Sequence, residues 1–337
     1  MKTILRLAVL ALVGTTALAI AGNALATQKL SVKQTTTSLT IKVSQAQSDA
    51  QPARISIYVP TGYSINASAA AGSKIGSTSG TVFSRDANIP LPLSGDVVVV
   101  PPTTNAPGCD PVPHIAVWSL ALSVAGQSIN LPVHVDQLAG AEAALGAYKL
   151  VVCLAPDDVP TGTPGRSPNG ARLLDATFTV DNIFTVPVGQ SIWKAITTPY
   201  TAGIGAPNAA ATVETRAFVA DGTAALAKKV NAPKRLVKFT GRVTQAGTAV
   251  SGARVSLLVN GKSAGFTART NGSGAYSIVL KKTGKKTTST FQARTTVAER
   301  DITSTGCASP TPGVPGGCVS ATASPFTAVS AKIRIRL

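Results

Sequence analysis

Leu236-Val-Lys-Phe-Thr-Gly-Arg-Val-Thr244 opens a stretch that continues through Val250-Ser-Gly-Ala-Arg-Val-Ser-Leu-Leu-Val-Asn-Gly261, Phe266 to Thr270, Asn271-Gly-Ser-Gly274 and Ala275-Tyr-Ser-Ile-Val-Leu280. Short β-branched runs are separated by Gly, Asn and Ser turns at spacings of about ten residues, the pattern of a small antiparallel sandwich. The rest of the chain has the same texture. It is rich in Val, Ala, Thr, Gly and Pro, and its 44% apolar content separates it from disordered chains, which lack the residues to offset chain entropy. Turn residues every few positions exclude long helices. The expectation is an all-β protein of two β-sandwich domains.

The decisive stretch has an internal order: a strand bearing Gly241, then Val250-x-Gly-Ala-x-Val-x-Leu257, a hairpin, and Thr270-Asn-Gly-x-Gly-x-Tyr-Ser277. In this it resembles the carboxypeptidase-regulatory-like, transthyretin-like group of immunoglobulin-like modules over about sixty residues (236–296). The resemblance implies an immunoglobulin-like sandwich. It implies no particular activity, because such modules stand beside unrelated domains. Upstream, Ile57-Tyr-Val-Pro-Thr-Gly-Tyr63 and Trp193-x-x-x-Thr-Thr-Pro-Tyr200 look like uncharacterised exported proteins of actinobacterial type, again with no activity attached.

Residues 1–26 have a basic start (Lys2, Arg6), an apolar run from Leu7 to Ile20 and a small-x-small site at Ala24-Leu-Ala26, which together read as a cleaved secretory signal peptide. The mature chain is expected to begin near Thr27, to be secreted or held at the cell envelope, and to carry no transmembrane segment. Charge then divides it. From Thr27 to Ala227 there are eleven Lys and Arg against twelve Asp and Glu; from Lys228 to Leu337 there are eighteen against two. The formal charge of +17 therefore belongs to the C-terminal third, and such an asymmetry marks a domain boundary. The expected division is an N-terminal sandwich over 27–221, a linker over 222–233 and a basic immunoglobulin-like sandwich over 234–337.

Within the N-terminal part, alternation places Leu39, Ile41 and Val43 on one face, and Ile55, Ile57 and Val59 on another. Residues 67–80, small and Gly/Ser-rich, read as a loop or weak edge strand. Asp96 to Val100 reads as a strand stopped by two prolines, and Ala125-Gly126 as the turn of a hairpin. Ten or so strands suit one large sandwich with long loops, with two small ones as the alternative.

Four cysteines in an exported chain should be paired. Of three connectivities, Cys109–Cys153 with Cys307–Cys318 keeps each bridge inside one expected domain, and chain-entropy arithmetic gives them roughly 4 and about 3 kcal/mol. No Cys-x-x-Cys occurs, so neither a zinc site nor a redox pair is expected.

Several residue patterns touch on catalysis. Ser191-Ile-Trp-Lys194 with Lys282-Thr-Gly284 matches two elements of the serine β-lactamases, but that chemistry needs the Ser on a helix, and here the surroundings alternate like a strand. His114 and His134, with Asp110 and Asp136 near them in sequence, allow a metal or acid/base cluster. Against this, Val133 and Val135 face the core, which leaves His134 on the solvent side. Asp157-Asp158 lies in a Pro/Gly loop and reads as solvated. Asn66-Ala-Ser68 and Asn271-Gly-Ser273 match the glycosylation pattern, the second better read as a turn in which Asn-Gly supplies positive φ. No phosphate loop, dinucleotide fingerprint or zinc-protease helix is present, and no cofactor or metal is expected.

What remains is the basic face. Lys281, Lys282, Lys285 and Lys286 fall on one predicted turn, and the alternation of Lys332-Ile-Arg-Ile-Arg-Leu337 gathers Lys332, Arg334 and Arg336 on one strand face. The two groups are expected on the same side. Such residues also protect a sheet edge, but the excess charge exceeds that need. The expected partner is an anionic envelope polymer or headgroup; too few aromatics accompany the charge for nucleic acid. The sequence reads as a non-catalytic exported binding or adhesion protein. A secreted enzyme with its site in the N-terminal loops, or a structural spacer, are the competing readings.

Overall fold

The computed structural model describes residues 28–104, 108–110, 113–187, 189–281, 287–302, 311–315 and 319–336. The signal segment, Cys307, Cys318, Lys282, Lys285 and Lys286 lie outside the described residues. The described chain is all-β, and its helices are three short 3-10 turns. No helix among the described residues is long and apolar enough to cross a membrane.

The N-terminal sandwich holds β1 (Lys29–Gln34), β2 (Ser38–Ser44), β3 (Pro52–Val59), β4 (Ser64–Ile65), β5 (Lys74–Ser84), β6 (Ile89–Val100), β7 (Ala116–Val124), β8 (Gln127–Gln137), β9 (Tyr148–Cys153), β10 (Ala171–Asp181), β11 (Phe184–Thr185), β12 (Ser191–Pro199) and β13 (Val213–Val219). The C-terminal part adds β14 (Gly222–Ala224), β15 (Ala227–Asn231), β16 (Leu236–Gln245), β17 (Thr248–Ala249), β18 (Arg254–Val259), β19 (Lys262–Arg269), β20 (Ala275–Lys281), β21 (Thr288–Val297), β22 (Arg300–Asp301), β23 (Ser320–Ala323), β24 (Phe326–Val329) and β25 (Ile333–Arg336).

One thirteen-stranded sheet, ordered β1-β2-β10-β5-β6-β7-β8-β9-β3-β12-β13-β23-β22, makes the N-terminal unit. It folds back on itself so that its first strand meets its far end. Ser320 donates to the Gln28 carbonyl at 2.6 Å, and the Thr322 hydroxyl donates to the Leu30 carbonyl. These bonds satisfy backbone groups that a free edge would leave open. The Ala125-Gly126 turn has positive φ at both residues, as a tight hairpin requires.

Residues 67–73 form the expected loop, but 74–80 depart from expectation. β5 is an eleven-residue interior strand between β10 and β6. Its small residues are a packing requirement, because a Cβ on Gly76 would sit 1.9 Å from the Thr179 carbonyl oxygen and one on Gly80 2.1 Å from that of Asp175.

The C-terminal module packs two five-stranded sheets. β16 is central in the first, flanked by β14, β15, β17 and β20; the second runs β19-β18-β21-β24, with β25 also on β21. Val237, Phe239, Leu257, Phe291 and Ala293 fill the space between, with the two Phe rings 4.9 Å apart. The conspicuous residues of the sequence motif prove structural. A Cβ on Gly241 would lie 1.9 Å from the Ala225 carbonyl oxygen and 2.5 Å from the Tyr276 hydroxyl. Gly therefore lets Tyr276 donate to that carbonyl at 2.5 Å. Burial pushes the Tyr276 hydroxyl up to about 12. In the turn, Asn271 acts through its side chain, accepting from the Ser273 and Ala275 amides, and positive φ falls on Gly274 instead of on the Asn-Gly pair.

The expected domain boundaries need correcting. Residues 222–233 contain β14 and β15, which pair with β16 and belong to the C-terminal module. Part of 234–337 belongs to the other unit: β22 and β23 return to the large sheet, β23 lying parallel to β13. The chain thus crosses between units at 220–222, 297–300 and 324–326.

The N-terminal core is unevenly filled. Trp118, Trp193, Phe184 and Tyr63 pack one end. Toward the Ala125-Gly126 hairpin the side chains are mostly aliphatic, and with Phe178 they enclose a largely apolar cavity of about 220 Å³. At ~24 cal/mol per Å³, leaving that space empty forgoes on the order of 5 kcal/mol of packing.

Candidate functional site

The second sheet of the C-terminal module turns one face outward, and alternation decides what stands on it. Val255, Leu257, Phe291, Ala293 and Ile335 point inward, so Arg254, Arg269, Arg294, Arg334 and Arg336 point to solvent, and all five are exposed. Register fixes their arrangement: Arg254 faces Arg269, Ser256 faces Arg294, and Arg334 and Arg336 face Thr290 and Thr288. With strands ~4.8 Å apart and a rise of ~3.3 Å per residue, the five form a diagonal track on the order of 30 Å long. Ser256, Thr288, Thr290 and Thr296 stand beside it. A shallow depression lies between Arg254 and Arg294, lined also by Ser256, Leu258, Ser263 and Thr296.

None of the five arginines pairs with a carboxylate among the described residues; Arg269 donates to the Gly252 carbonyl at 3.1 Å. Like charges on neighbouring strands repel, so the track is a cost in the free protein that an anion would relieve. The guanidinium fork suits carboxylate or phosphate oxygens, and the hydroxyls between can serve neutral oxygens.

Of the sequence-derived contact residues, Lys281, Lys332, Arg334 and Arg336 are exposed. Only Arg334 and Arg336 are part of the track. Lys281 stands on β20, in the opposite sheet, so it does not share the side of Arg334 and Arg336; Lys282, Lys285 and Lys286 lie outside the described residues. Arg254, Arg269 and Arg294 escaped the sequence reading. For Arg254 and Arg294 the signal was present in the alternation of Arg254-Val-Ser-Leu257 and Gln292-Ala-Arg-Thr295, where each inward apolar residue is preceded or followed by a polar one.

A second polar cluster lies in the N-terminal unit. Cys109 is bonded to Cys153, and the bridge holds the segment before β7 over the outer faces of β3, β8 and β9. His134 is therefore fully buried, which corrects its expected solvent position: the face was read properly, but a loop covers it. His114 and Asp136 meet through Nδ1 and Oδ1 at 2.6 Å, and the two imidazoles stack 4.3 Å apart. Lys149, also buried, lies 3.4 Å from Asp110, which Arg54 contacts at 3.1 Å. Burial, then the neighbouring His114, hold His134 below the ordinary histidine value; burial raises Asp136 above the usual carboxylate range. Among the described residues, no three His, Cys, Asp or Glu side chains are placed to hold a metal ion.

The other motifs are separated by the fold. Ser191 and Lys194 lie on a strand and face opposite ways: Ser191 is within 2.9 Å of the Tyr63 hydroxyl, and Lys194 donates to Thr311 at 3.3 Å. Asp157 is buried rather than solvated, because it holds Arg172 at 2.8 Å and Arg85 at 3.2 Å. Asp158 accepts from the Gly203 amide, so the two carboxylates serve different partners.

Compared with known proteins, the chain matches no family model and no curated sequence. Six chains of solved structures match. Among them is the D00–D0 domain of Intimin, 15% identical, covering 62% of this chain and 90% of that one, with a TM-score of 0.19. A likeness of that size carries no argument about what this chain does.

Proposed function

We propose that this is a non-catalytic, exported binding protein whose C-terminal module attaches to an acidic polysaccharide of the cell envelope through the arginine track. The observation that carries the reading is the set of five exposed arginines on one sheet face with no carboxylate partner among the described residues. A linear track favours a linear polyanion. Flanking Ser and Thr hydroxyls match sugar hydroxyls, whereas nucleic acid would call for several aromatic stacking partners among the arginines; the outward positions of β18, β21 and β25 carry none, and exposed Phe266 on β19 is a single ring.

The test is retention of the full chain on immobilised polygalacturonate, eluted with a salt gradient. Arg254→Gln with Arg294→Gln should bring elution to clearly lower salt, since summed exposed charge is screened beyond about 8 Å at physiological ionic strength. Lys281→Gln, on the opposite sheet, should leave elution nearly in place. Equal effects from both changes, or retention indifferent to salt, would count against the track.

A further inference from the structure

Beyond that reading, we infer that the cavity of the N-terminal sandwich is a binding site for the alkyl chain of a single-chain amphiphile. The walls are almost wholly aliphatic, drawn from β2, β3 and β5 to β10; Leu93, Leu122, Ile129, Leu131 and Leu173 are representative. Water gains nothing there, because an ordered water needs two to four polar partners and an apolar cavity of this kind stays dry. A volume of 220 Å³ exceeds the ~150 Å³ of an engineered apolar cavity that takes benzene. At ~30 Å³ per carbon, close to the share of one water, it holds roughly seven or eight carbons.

Three polar residues break the apolar lining: Gln51, whose amide is bonded to the Ala155 carbonyl and the Leu173 amide, and two hydroxyls, which identify the ligand as more than a hydrocarbon. Thr78, 4% exposed, and Ser167, 6% exposed, both line the cavity, and neither hydroxyl has a hydrogen-bond partner among the described residues. Buried hydroxyls are ordinarily paired, so each is a vacancy for a ligand oxygen. They lie toward different ends. Thr78 pairs with Phe178 in mid-strand, whereas Ser167 precedes the turn into Ala171, which pairs with Ser84. Pro168, exposed and next to Ser167, marks where the cavity reaches the surface. Ser167 thus meets the head of an entering amphiphile, and Thr78 offers a second bond farther in. No ionised side chain lines the cavity, so a neutral alcohol or acid head fits best.

The experiment uses the full chain in titration calorimetry, with toluene (seven carbons) as an apolar probe and 1-octanol (eight carbons) as competitor. Saturable heat with one probe per chain, displaced by 1-octanol, is expected. Ala176→Phe fills the cavity from β10 and should lower probe affinity at least tenfold with an unchanged circular dichroism spectrum. Should that variant fail to fold, Val124→Phe fills it from the hairpin side with the same expected loss. The double change Thr78→Val with Ser167→Ala should weaken 1-octanol about tenfold while the probe stays within twofold. Absence of saturable binding, or binding indifferent to the filling variants, overturns the site. Unchanged 1-octanol affinity in the double variant overturns the amphiphile assignment.

Discussion

Gln245 is the residue on which the joining of the two units most depends, and Gln245→Leu tests this. It ends β16, is 4% exposed, and its Nε2 donates to the Ala220 carbonyl at 2.8 Å and the Ser324 carbonyl at 3.0 Å. Ala220 and Ser324 lie at two of the places where the chain passes between units, and both are buried. Leu has similar bulk but cannot donate, so two buried carbonyls lose their partner. Each unsatisfied group costs about 1–3 kcal/mol. The wild-type Gln245 Oε1 is itself without a partner among the described residues, and removing it returns about 1 kcal/mol. The expected net loss is about 1–5 kcal/mol. Guanidinium unfolding should be followed by tryptophan fluorescence and by far-UV circular dichroism. Both tryptophans, Trp118 and Trp193, report on the N-terminal unit alone. The variant should unfold at lower denaturant, and the two probes, coincident in the wild type, should separate as the units uncouple. A loss under about 0.5 kcal/mol with coincident transitions would refute the reasoning.

Replacing Cys109 and Cys153 together by Ser reopens a loop with a sequence separation of 44, and chain entropy puts the loss at about 4 kcal/mol; calorimetry measures it, and hydrogen exchange should rise first in β8 and β9 beneath the released segment. His134 sets an acid limit. Its folded-state value is depressed, so the unfolded chain binds more protons in the window between that value and 6.5. Its contribution to stability is intact above pH 6.5 and is lost as pH falls, at a slope of at most about 1.4 kcal/mol per pH unit. Asp136, with a raised value, acts with the opposite sign: its contribution is present below 3.8 and lost as pH climbs through the raised value. Denaturant midpoints between pH 7.5 and 5.5 should therefore fall in the wild type and flatten in His134→Gln. Equal slopes would refute the assignment to His134, which His114, Asp110 and Arg54 surround.

Alternation along a strand reports which face a residue occupies, and that much of this protein was readable. Leu39, Ile41, Ile55, Ile57 and Val59 are all buried, and the outward Arg334 and Arg336 are all exposed. It does not report what lies against the face. His134 was read onto the side opposite the core, correctly, and is nonetheless buried, because a disulfide-held segment remote in sequence covers it. The charge break near residue 228 marked a real change of sheet, yet Ser320-Ala-Thr-Ala323 leaves the basic module for a parallel pairing with β13, about a hundred residues away in sequence. Four small residues carry no periodic signal strong enough to announce such a partner. The Gly-rich start of β5 failed in the opposite sense: lack of side chains reads as a loop, but Gly76 and Gly80 are small because the backbone of the paired strand β10 comes too close for a Cβ. The cavity lies at the far limit of what a linear pattern conveys. Most lining residues read as core, and only the sum of side-chain volumes across eight strands, with Trp118, Trp193, Phe184 and Tyr63 at the other end, leaves the space unfilled. Packing is a property of the assembled volume, so a vacancy in it has no local signature.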